Sequence, residues 1–460
     1  MNGFHQPEFI GLKDQPSHRI RCPIHGFIHF SENERQVLDH PLFHRLRFIR
    51  QLALTEYLYP GASHTRFEHA LGVMEVATRM FDSLAARRGD EMQKTFEGLA
   101  DFTDRPMAQA RQALRLAALL HDVGHTCFSH AAEKVLHKDS SHEAVTIQIV
   151  ENPNLLGSTL EGVFWPGCGK LVGQIVDGIP SLQPQLQVLH DIISGQMDAD
   201  RTDYLLRDAY HCGVDYGRFD HRRLIECLEL HSGDLGQMRL ALHEDGLHSF
   251  EALILARYQM NTQVYQHRVR QVYDIYLQRY FRTLAEEEPD EITDVVALND
   301  VVMMSRIMAD AVHAQGVRRK WAARIAGRDH HRVVYSTGAN ARVHETRRSK
   351  GVLDALERKY PDREFLSGPA SGSIHNLLLR DDREREAEDA EAGKKGYVEL
   401  MLIGRDGQAR HVDEQSQVIG YIPREFEAVR IFVDIASDER ALLEEMRSFA
   451  TDTEWQLARH

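Results

Sequence analysis

An imidazole and a carboxylate stand side by side as His121 and Asp122, at the end of an apolar run from Ala113 to Leu120. Gly124 follows, and its missing side chain lets the chain turn closely beside them. Neutral imidazole and carboxylate together suit divalent ions such as Mn, Fe, Zn or Ni, and they tolerate Mg. A metal ion needs more than two protein ligands, so we expect further ligands elsewhere in the chain.

Two other segments carry histidine or aspartate where a helical pattern begins. Upstream, the pattern opens with Arg66 to His69, and downstream another opens with Asp198 to Tyr204. Any one of these residues taken alone is more often a hydrogen-bonded core residue than a ligand. The metal hypothesis therefore depends on the whole set and its order.

The order His69, His121–Asp122, Asp200 resembles the H…HD…D signature of HD-domain metal-dependent phosphohydrolases. It implies that these four residues bind one divalent ion, with Mg a further candidate to accompany a bound nucleotide. The resemblance covers the chain from about residue 18 to residue 285. Three longer segments resemble the deoxynucleoside triphosphate triphosphohydrolases of that superfamily: Gly61 to His69, His121 to His125, and Asp203 to Asp208.

A metal ion cannot by itself supply the proton that a leaving group requires. His125 lies four residues after His121, and on a helical continuation it would face the same way. The resemblance adds Glu133 and His142 as catalytic residues: an acidic residue orients the first histidine, and the second lies near the scissile bond. The alternative for His125 and His142 is a second metal ion, as in binuclear HD phosphodiesterases.

Three residues repeat at intervals of four and predict one stripe along a helix: Asp200, Tyr204 and Asp208. A metal ligand, an aromatic ring and a carboxylate in a row suit a triphosphate, a sugar and a sugar hydroxyl. The resemblance implies that Tyr204 packs on deoxyribose, where a 2′-hydroxyl would clash, and that Asp208 accepts from the 3′-hydroxyl. Core packing is the ordinary alternative for a lone tyrosine.

The resemblance also assigns substrate contacts outside this stripe. Arg66 and Arg201 are expected at the phosphates, and Gln51 at the edge of the sugar. Tyr265 and Gln266 match a pair of residues at the substrate pocket. All five are expectations that follow from the resemblance.

Asp39, His44 and Arg47 raise the possibility of regulation. Some members of the family bind a regulatory guanine nucleotide with Asp, Gln and Arg at such positions, and here His44 replaces the Gln. Asp39 and Arg47 would contact the regulatory nucleotide, which would stabilise a homo-oligomer, a dimer or higher, whose interface contains this segment. The alternative is a solvated basic helix.

Composition narrows the class of protein. Of 460 residues, 42% are hydrophobic and 27% charged, which is ordinary for a globular chain. No apolar run reaches the ~20 residues of a membrane span, and the first residues lack a signal core, so we expect a cytoplasmic protein with no membrane partner. Five cysteines without a CxxC pair argue against a disulfide scaffold. The net charge of −14 allows a nucleic-acid partner but does not favour one.

The spacing of apolar residues predicts a mainly α fold, because helical patterns dominate and no strand–helix alternation repeats. Residues 19–30 alternate around a Pro/Gly turn and predict a hairpin, followed by a helix that Ser31 caps with Glu34. Helices are predicted over residues 41–52, where Pro41 starts the helix, 69–86, 106–120, 129–137, 141–151, 187–194, 200–211, 220–230 and, as one long helix, 250–284. Strands are predicted over residues 238–243, 332–336, 397–403 and 429–435, with a last helix over 438–449.

We therefore predict two domains. Residues 1–290 form a helical HD-domain core with an N-terminal arm and hairpin, and residues 291–460 form a smaller α+β lobe. A charged stretch near 380–396 lacks an apolar period and is expected to be mobile, while residues 318–350 are basic.

The predicted activity is metal-dependent hydrolysis of deoxynucleoside triphosphates to deoxynucleoside and tripolyphosphate, with attack on the α-phosphorus implied by the resemblance. The alternatives are another HD-type nucleotide phosphohydrolase (a 5′-nucleotidase, or a phosphodiesterase or nuclease) and a nucleotide-sensing regulator.

Overall fold

Helices make up most of the structure, as the sequence predicts. The computed structural model describes residues 17–97, 99, 105–136, 141–178, 182–233, 237–287, 297–338, 343–377, 379 and 398–458. The predicted N-terminal arm (apart from residue 17), the predicted mobile stretch near 380–396 and the predicted domain boundary at 290 lie outside these ranges.

The N-terminal hairpin is confirmed: β1 (His18–Cys22) pairs antiparallel with β2 (Gly26–Phe30). Helix α1 (Glu32–Leu38) begins with the predicted capping box, in which Ser31 and Glu34 satisfy each other's backbone N–H groups. The buried Glu34 carboxylate also binds Arg115 of the next helical layer at 2.6 Å. The hairpin and α1 are thereby tied to the core.

The predicted helix over 41–52 begins at Pro41 as expected, but its predicted length is wrong. Helix α2 (Pro41–His44) is one turn long, a 3₁₀ turn follows (Arg45–Phe48), and the chain becomes extended at Ile49. Arg50 then forms a β-bridge with Thr65. This long-range pairing turns the backbone towards the start of the next long helix, and no local periodicity reports it.

The helical core contains most of the predicted helices, but the helix that begins at Arg66 extends beyond the predicted residue 86, and two helices between residues 157 and 177 were not predicted. Its helices are α3 (Arg66–Phe96), α4 (Pro106–Leu120), α5 (His130–Leu136), α6 (His142–Glu151), α7 (Gly157–Val163), α8 (Cys168–Asp177), α9 (Gln187–Ser194), α10 (Ala199–Cys212) and α11 (His221–Glu226).

The predicted helix over 220–230 ends early, at Glu226. Its last residues enter strand β3 (Leu228–Ser232), which pairs antiparallel with β4 (Met238–His243). Strand β4 also pairs in parallel with β7 (Met401–Ile403) from the C-terminal part of the chain. Strand pairing across the fold overrides the local helical pattern here.

The predicted single helix over 250–284 is wrong as well. Helix α12 (Leu247–Met260) passes into a π-helical turn (Asn261–Tyr265) before α13 (Arg268–Glu287). Within this turn the Asn261 amide donates to the Arg257 carbonyl at 3.1 Å. Such turns insert a residue into the ladder and are frequent at functional sites.

The C-terminal region mixes helices and strands, as predicted. Its three-stranded sheet has the order β5-β9-β6, with β9 in the middle and both pairings antiparallel. The elements are α14 (Asp300–His313), α15 (Gly316–Ala326), β5 (Arg332–Ser336), α16 (Val343–Lys359), β6 (Phe365–Ser373), β7 as above, β8 (Ala409–His411), α17 (Val412–Gln415), β9 (Glu425–Val433) and α18 (Arg440–Leu457).

Among the described residues, no helix combines the length and the apolar character that crossing a bilayer requires.

Candidate active site

Helices α3 and α10 cross closely because Gly72 has no side chain. A Cβ atom at Gly72 would lie 1.9 Å from the Oδ1 atom of Asp203 on α10. The close crossing brings His69, one turn into α3, beside Asp200 in the first turn of α10. The backbone after α4 supplies His121 and Asp122 to the same point.

The four predicted metal ligands converge. The Nε2 atom of His69 lies 3.0 Å from Oδ1 of Asp200 and 3.7 Å from Oδ2 of Asp122. The Nε2 atom of His121 lies 3.4 Å from Oδ1 of Asp122 and 3.7 Å from Oδ1 of Asp200. One ion placed among these atoms would have two nitrogen and two oxygen ligands, a set that suits borderline divalent metals.

Hydrogen bonds behind both histidines aim the Nε2 atoms inward. His69 uses Nδ1 to reach Asp203 at 2.8 Å, and His121 uses Nδ1 to reach the Ala118 carbonyl at 2.8 Å. Asp203 in turn binds His25 at 2.6 Å and Arg207 at 2.7 Å. Outer partners of this kind fix the ring and the tautomer of a metal-binding histidine.

The electrostatics of the cluster fit a cation. The Nε2 atom of His121 is buried and has no hydrogen-bond partner among the described groups. Burial opposes charge on His69, yet hydrogen bonds to Asp200 and Asp203 raise its pKa to about 10. Burial likewise opposes charge on His121, but Asp122 and Asp200 raise its pKa. Carboxylates that hold protons on two buried imidazoles create a negative potential that a divalent ion would neutralise.

Arg66 contacts the cluster directly. Its Nη1 donates to Asp122, and its Nε donates to the Ser129 hydroxyl at 2.9 Å. Burial raises the pKa of Asp122, but Arg66 and the histidines outweigh it and hold that pKa well below its usual value. Arg66 was predicted at the substrate phosphates, and the structure places it between Asp122 and the cavity.

The predicted catalytic residues form a second cluster beside the first. The rings of His125 and His142 stack with centroids 3.8 Å apart. Glu133 accepts from Nδ1 of His142 at 2.8 Å, and its other oxygen lies 2.8 Å from Nδ1 of His130. Its hydrogen-bonded histidines are thus His142 and His130, whereas the resemblance paired it with His125.

The two catalytic histidines have opposite pKa shifts. Burial, with the charge of Arg66, holds the pKa of His125 well below its usual value, so its imidazole is neutral. Burial opposes charge on His142 too, but the hydrogen bond that it donates to Glu133 and the nearby carboxylates raise its pKa. The stacked pair therefore combines a neutral ring with a ring that readily holds a proton.

Gly124 brings this pair together. A Cβ atom there would lie 2.2 Å from the His142 carbonyl oxygen and 2.5 Å from the Thr146 nitrogen. The Gly124 N–H donates to the Thr146 hydroxyl at 2.9 Å. Helix α6 can therefore pack directly on the loop that carries His121, Asp122 and His125.

Both clusters open on a cavity of about 770 Å³. The α10 stripe lies along it as predicted, with Tyr204 and Tyr265 edge to face at 6.0 Å between centroids. Asp208 accepts from the Tyr265 hydroxyl at 2.8 Å and lies 2.7 Å from Nε2 of His64. Gln51, Gln266 and strand β6 complete the lining, and the Gln266 amide donates to the Ser371 carbonyl at 2.7 Å.

Arg201 is the predicted substrate residue that does not line this cavity. Its guanidinium turns back to the Asp198 carboxylate and the Gly195 carbonyl. A phosphate contact would require that ion pair to open.

The predicted regulatory residues lie away from the cavity. Asp39 ends α1 and accepts from Arg35 at 3.2 Å, and 67% of its side chain is exposed. The Arg47 guanidinium stacks on the Phe67 ring at 3.5 Å and lines a separate cavity of about 560 Å³. The structure thus brings Arg47 into a cavity that Asp39 does not line.

Several residues with the right chemistry were not singled out from the sequence. His130 lies 4.9 Å from His125 and 5.3 Å from His142, measured between ring centroids. It falls five residues after His125, and this spacing does not place two residues on one face of a helix, so periodicity gave no signal for it. Asp203 lies within a recognised segment, but its buried contact with His69 is visible only in the fold.

Comparison with known proteins gives two family matches. Residues 66–161 match the family described as HD domain, and residues 219–361 match the HD associated region. An uncharacterized Bacillus subtilis protein, YwfO, is 36% identical over 259 residues, which are 56% of this chain and 54% of that protein. Human deoxynucleoside triphosphate triphosphohydrolase SAMHD1 is 26% identical over 281 residues, 55% of this chain and 42% of that protein.

The chain spans about half of the length of the curated relatives that it matches most strongly, from 54% to 55%. A solved structure of a hypothetical protein from Aquifex aeolicus matches more completely. It has a TM-score of 0.71 and 27% identity, and the match covers 94% of this chain and 99% of that one.

Proposed function

Because the chain is a member of the HD-domain phosphohydrolase superfamily, we propose that it hydrolyses deoxynucleoside triphosphates to deoxynucleoside and tripolyphosphate. One observation carries the proposal: a cluster suited to a divalent ion lies at one wall of a cavity that also holds Tyr204, Tyr265 and Asp208. The similarity to human SAMHD1, which is a deoxynucleoside triphosphate triphosphohydrolase, supports this choice of substrate.

Four residues would hold the ion: His69, His121, Asp122 and Asp200. When bound, a divalent ion at such a site polarises a phosphoryl oxygen and lowers the pKa of a coordinated water. The protein's own contribution is to fix the ligands. Asp203 and the Ala118 carbonyl orient the two imidazoles, and Arg66 orients Asp122.

The histidine cluster would manage the proton. Attack of water on the α-phosphorus breaks the bond to the 5′-oxygen of the sugar, and that oxygen must gain a proton to leave as the deoxynucleoside hydroxyl. His142 is suited to donate it, because Glu133 stabilises its protonated form at 2.8 Å. His125, neutral and stacked on His142 with 3.8 Å between the ring centroids, is suited to hold the donor ring beside the leaving oxygen.

Tyr204 and Tyr265 would bind the sugar and select deoxyribose over ribose. Tyr204 lies between Asp200 and Asp208 along α10, and all three residues line the cavity. The Asp208 carboxylate lines the cavity and accepts from Tyr265 at 2.8 Å, and it is the acceptor that we assign to the 3′-hydroxyl. An additional 2′-hydroxyl would press against the Tyr204 ring.

The proposal is tested by a product assay on the four deoxynucleoside triphosphates and the four ribonucleoside triphosphates. We expect tripolyphosphate from the former at a much higher rate. Tyr204→Ala should narrow the ratio between the two classes, because it removes the ring that excludes the 2′-hydroxyl, while Tyr204→Phe should keep it. A purified enzyme that prefers ATP or GTP to every deoxynucleotide would contradict the pocket assignment.

A second candidate function is cleavage of a longer phosphodiester. The cavity continues along α13, where the exposed side chains of Arg279 and Arg282 line its rim. A row of cations beyond the space that one nucleotide needs favours a polyanion such as single-stranded DNA. Adding single-stranded DNA and nucleoside monophosphates to the same assay separates this activity, and a 5′-nucleotidase, from triphosphate hydrolysis.

A further inference from the structure

The loop between the two catalytic clusters contains an unusual stretch of backbone. Phe128 and Ser129 both have left-handed conformations, with φ of 53° and 51°. Residues other than glycine adopt this region at a cost, and they remain there only when surrounding contacts hold them. The pair lies between His125 and His130, so its conformation sets where those two rings stand.

A carboxylate from a distant part of the chain holds this stretch. Asp300, the first residue of α14, accepts the Phe128 N–H at 2.6 Å and the Arg50 N–H at 2.8 Å. It is 7% exposed. Burial raises the pKa of Asp300 to about 6, against the opposing effect of the two N–H groups, so the carboxylate is predominantly ionised at neutral pH.

The contact continues to the metal ligands. The Ser129 hydroxyl donates to the Arg50 carbonyl at 2.9 Å and accepts from Nε of Arg66 at 2.9 Å. Arg66 then donates to Asp122. Asp300 therefore closes a ring of hydrogen bonds that fixes the loop on one side of Arg66 and the Arg50 backbone on the other.

Capping of α14 does not account for this arrangement. Asn299 caps the helix, accepting the N–H groups of Val301 and Val302 at 3.0 and 3.1 Å. Both oxygens of Asp300 instead accept hydrogen bonds from other segments, at Phe128 and Arg50, which lie 172 and 250 residues away in sequence.

We propose that Asp300 is a positioning residue, through which the C-terminal part of the chain fixes the His125–His130 loop and keeps Arg66 against Asp122. It touches neither substrate nor metal ligand itself. The inference rests on the proposed function only where turnover is measured, because the loop and the metal site can both be probed without substrate.

The side-chain chemistry defines the test variant. Asp300→Asn keeps the shape but retains one acceptor oxygen, and its NH₂ group would face a backbone N–H donor. The control is Asp310→Asn on the same helix. The Asp310 carboxylate accepts a hydrogen bond from the Tyr280 hydroxyl at 2.7 Å and, within the described part of the chain, makes no hydrogen bond to the loop. Both variants lose one hydrogen-bonded carboxylate of α14, buried at Asp300 and partly buried at Asp310.

The full-length protein and both variants are compared by amide hydrogen exchange, by Mn²⁺ affinity and by turnover. In Asp300→Asn, exchange over residues 123–130 should quicken at least about tenfold, and Mn²⁺ should bind about tenfold more weakly, because an outer partner of Asp122 is loosened. The kcat should fall about 10- to 100-fold with KM changed much less. Asp310→Asn should leave the exchange of this segment and the Mn²⁺ affinity unchanged.

Equal loop exchange and equal Mn²⁺ affinity in the two variants would overturn the proposal. If the wild-type protein hydrolyses no deoxynucleotide, the proposed function fails, while exchange and Mn²⁺ affinity still decide the role of Asp300. If Asp300→Asn does not fold, Ser129→Ala is the second test, because it removes the next hydrogen bonds in the ring. This variant must also show faster loop exchange and weaker Mn²⁺ binding. If it shows neither, the proposal is overturned.

Discussion

The four proposed ligands can bind a metal ion because hydrogen bonds from neighbouring groups orient the two histidine rings. His69 and His121 would be ordinary buried histidines without the Nδ1 contacts that leave both Nε2 atoms facing Asp122 and Asp200. The buried Asp122 and the partly buried Asp200 lie close to two imidazoles, and such a cluster is costly to assemble unless a cation or protons balance the carboxylates. This is the physical reason for expecting a metal ion at this point.

Loss of a ligand should therefore remove metal-dependent stabilisation. Mn²⁺ at 100 times its Kd should stabilise the wild-type protein by about 2.7 kcal/mol. His121→Ala or Asp122→Ala should lose this increment and turnover together, while circular dichroism remains helical. The matched control is His375→Ala, which removes a histidine that is also buried but bonds to the Ile422 carbonyl. Full activity with metal bound in either ligand variant would contradict the assignment.

The pH profile depends on Glu133. Burial opposes protonation of His142, but the hydrogen bond that His142 donates to Glu133 raises its pKa above the ordinary value. A proton-donating His142 is active below its folded pKa, so kcat should fall as pH rises through that pKa. Glu133→Gln lowers the pKa, and the descending limb of kcat against pH should move to lower pH.

Glu143→Gln is the control for this measurement. The Glu143 carboxylate also lies 3.1 Å from His142, but it is about half exposed, and solvent screens its charge. It should shift the limb less than Glu133→Gln does. A limb that stays in place in Glu133→Gln would remove His142 as the donor.

At the scale of elements, two glycines decide how the helices meet. Gly72 lets α10 approach α3, and Gly124 lets α6 rest on the metal-binding loop. A Cβ atom at Gly72 would clash with Asp203, and one at Gly124 would clash with the His142 carbonyl. The site is thus assembled by helix crossings that only glycine permits.

Gly124→Ala should lower the free energy of unfolding by about 1–3 kcal/mol through overpacking, and it should also weaken Mn²⁺ binding by moving the loop. The control is Gly89→Ala in α3, where a Cβ meets no atom within 4 Å and helix propensity predicts a gain of about 0.5–1 kcal/mol. Urea unfolding and Mn²⁺ titration measure both effects. A Gly124→Ala protein as stable as wild type would show that α6 can shift freely.

At the scale of the whole molecule, the two predicted domains share the cavity. Strand β6 supplies part of its wall, β7 extends the sheet of β4, and Asp300 reaches the catalytic loop. The region after residue 297 is therefore a structural part of the site. How the domains divide remains a prediction, since the structure does not describe residues 288–296.

Assembly is the prediction that belongs to this scale. We expect a homo-oligomer, at least a dimer, whose interface contains the segment from Asp39 to Arg47. GTP or a second deoxynucleotide bound there would stabilise the oligomer by mass action and raise the rate on the first substrate. Light scattering and rate measurements with and without added nucleotide test this.

Two outcomes separate the parts of the assembly prediction. An oligomer that shows no nucleotide response would keep the interface and remove the regulatory site. A monomer with unchanged rates would leave Asp39 and Arg47 as surface residues, paired with Arg35 and stacked on Phe67 as they are in the structure.

The sequence by itself determined the elements that depend on local chemistry. The Ser31–Glu34 capping box, the hairpin, and most helices of the core follow from side-chain periodicity and capping, which act over a few residues. The proposed ligands also came from the sequence, because their types and order resemble a family signature. These side chains lie far apart in the sequence, and the folding of the helices brings them to one point.

Only the tertiary structure decided the features that depend on distant contacts. The early end of α11 and the short α2 each result from a strand pairing with another segment, which overrides local preference. The π turn at Asn261–Tyr265 and the place of His130 beside His125 also gave no periodic signal in the sequence. Arg201 is a different case, because the ion pair that turns it away from the cavity is with Asp198, only three residues away. Asp300 lies 172 residues from Phe128, and a contact across that separation exists only once the chain has folded.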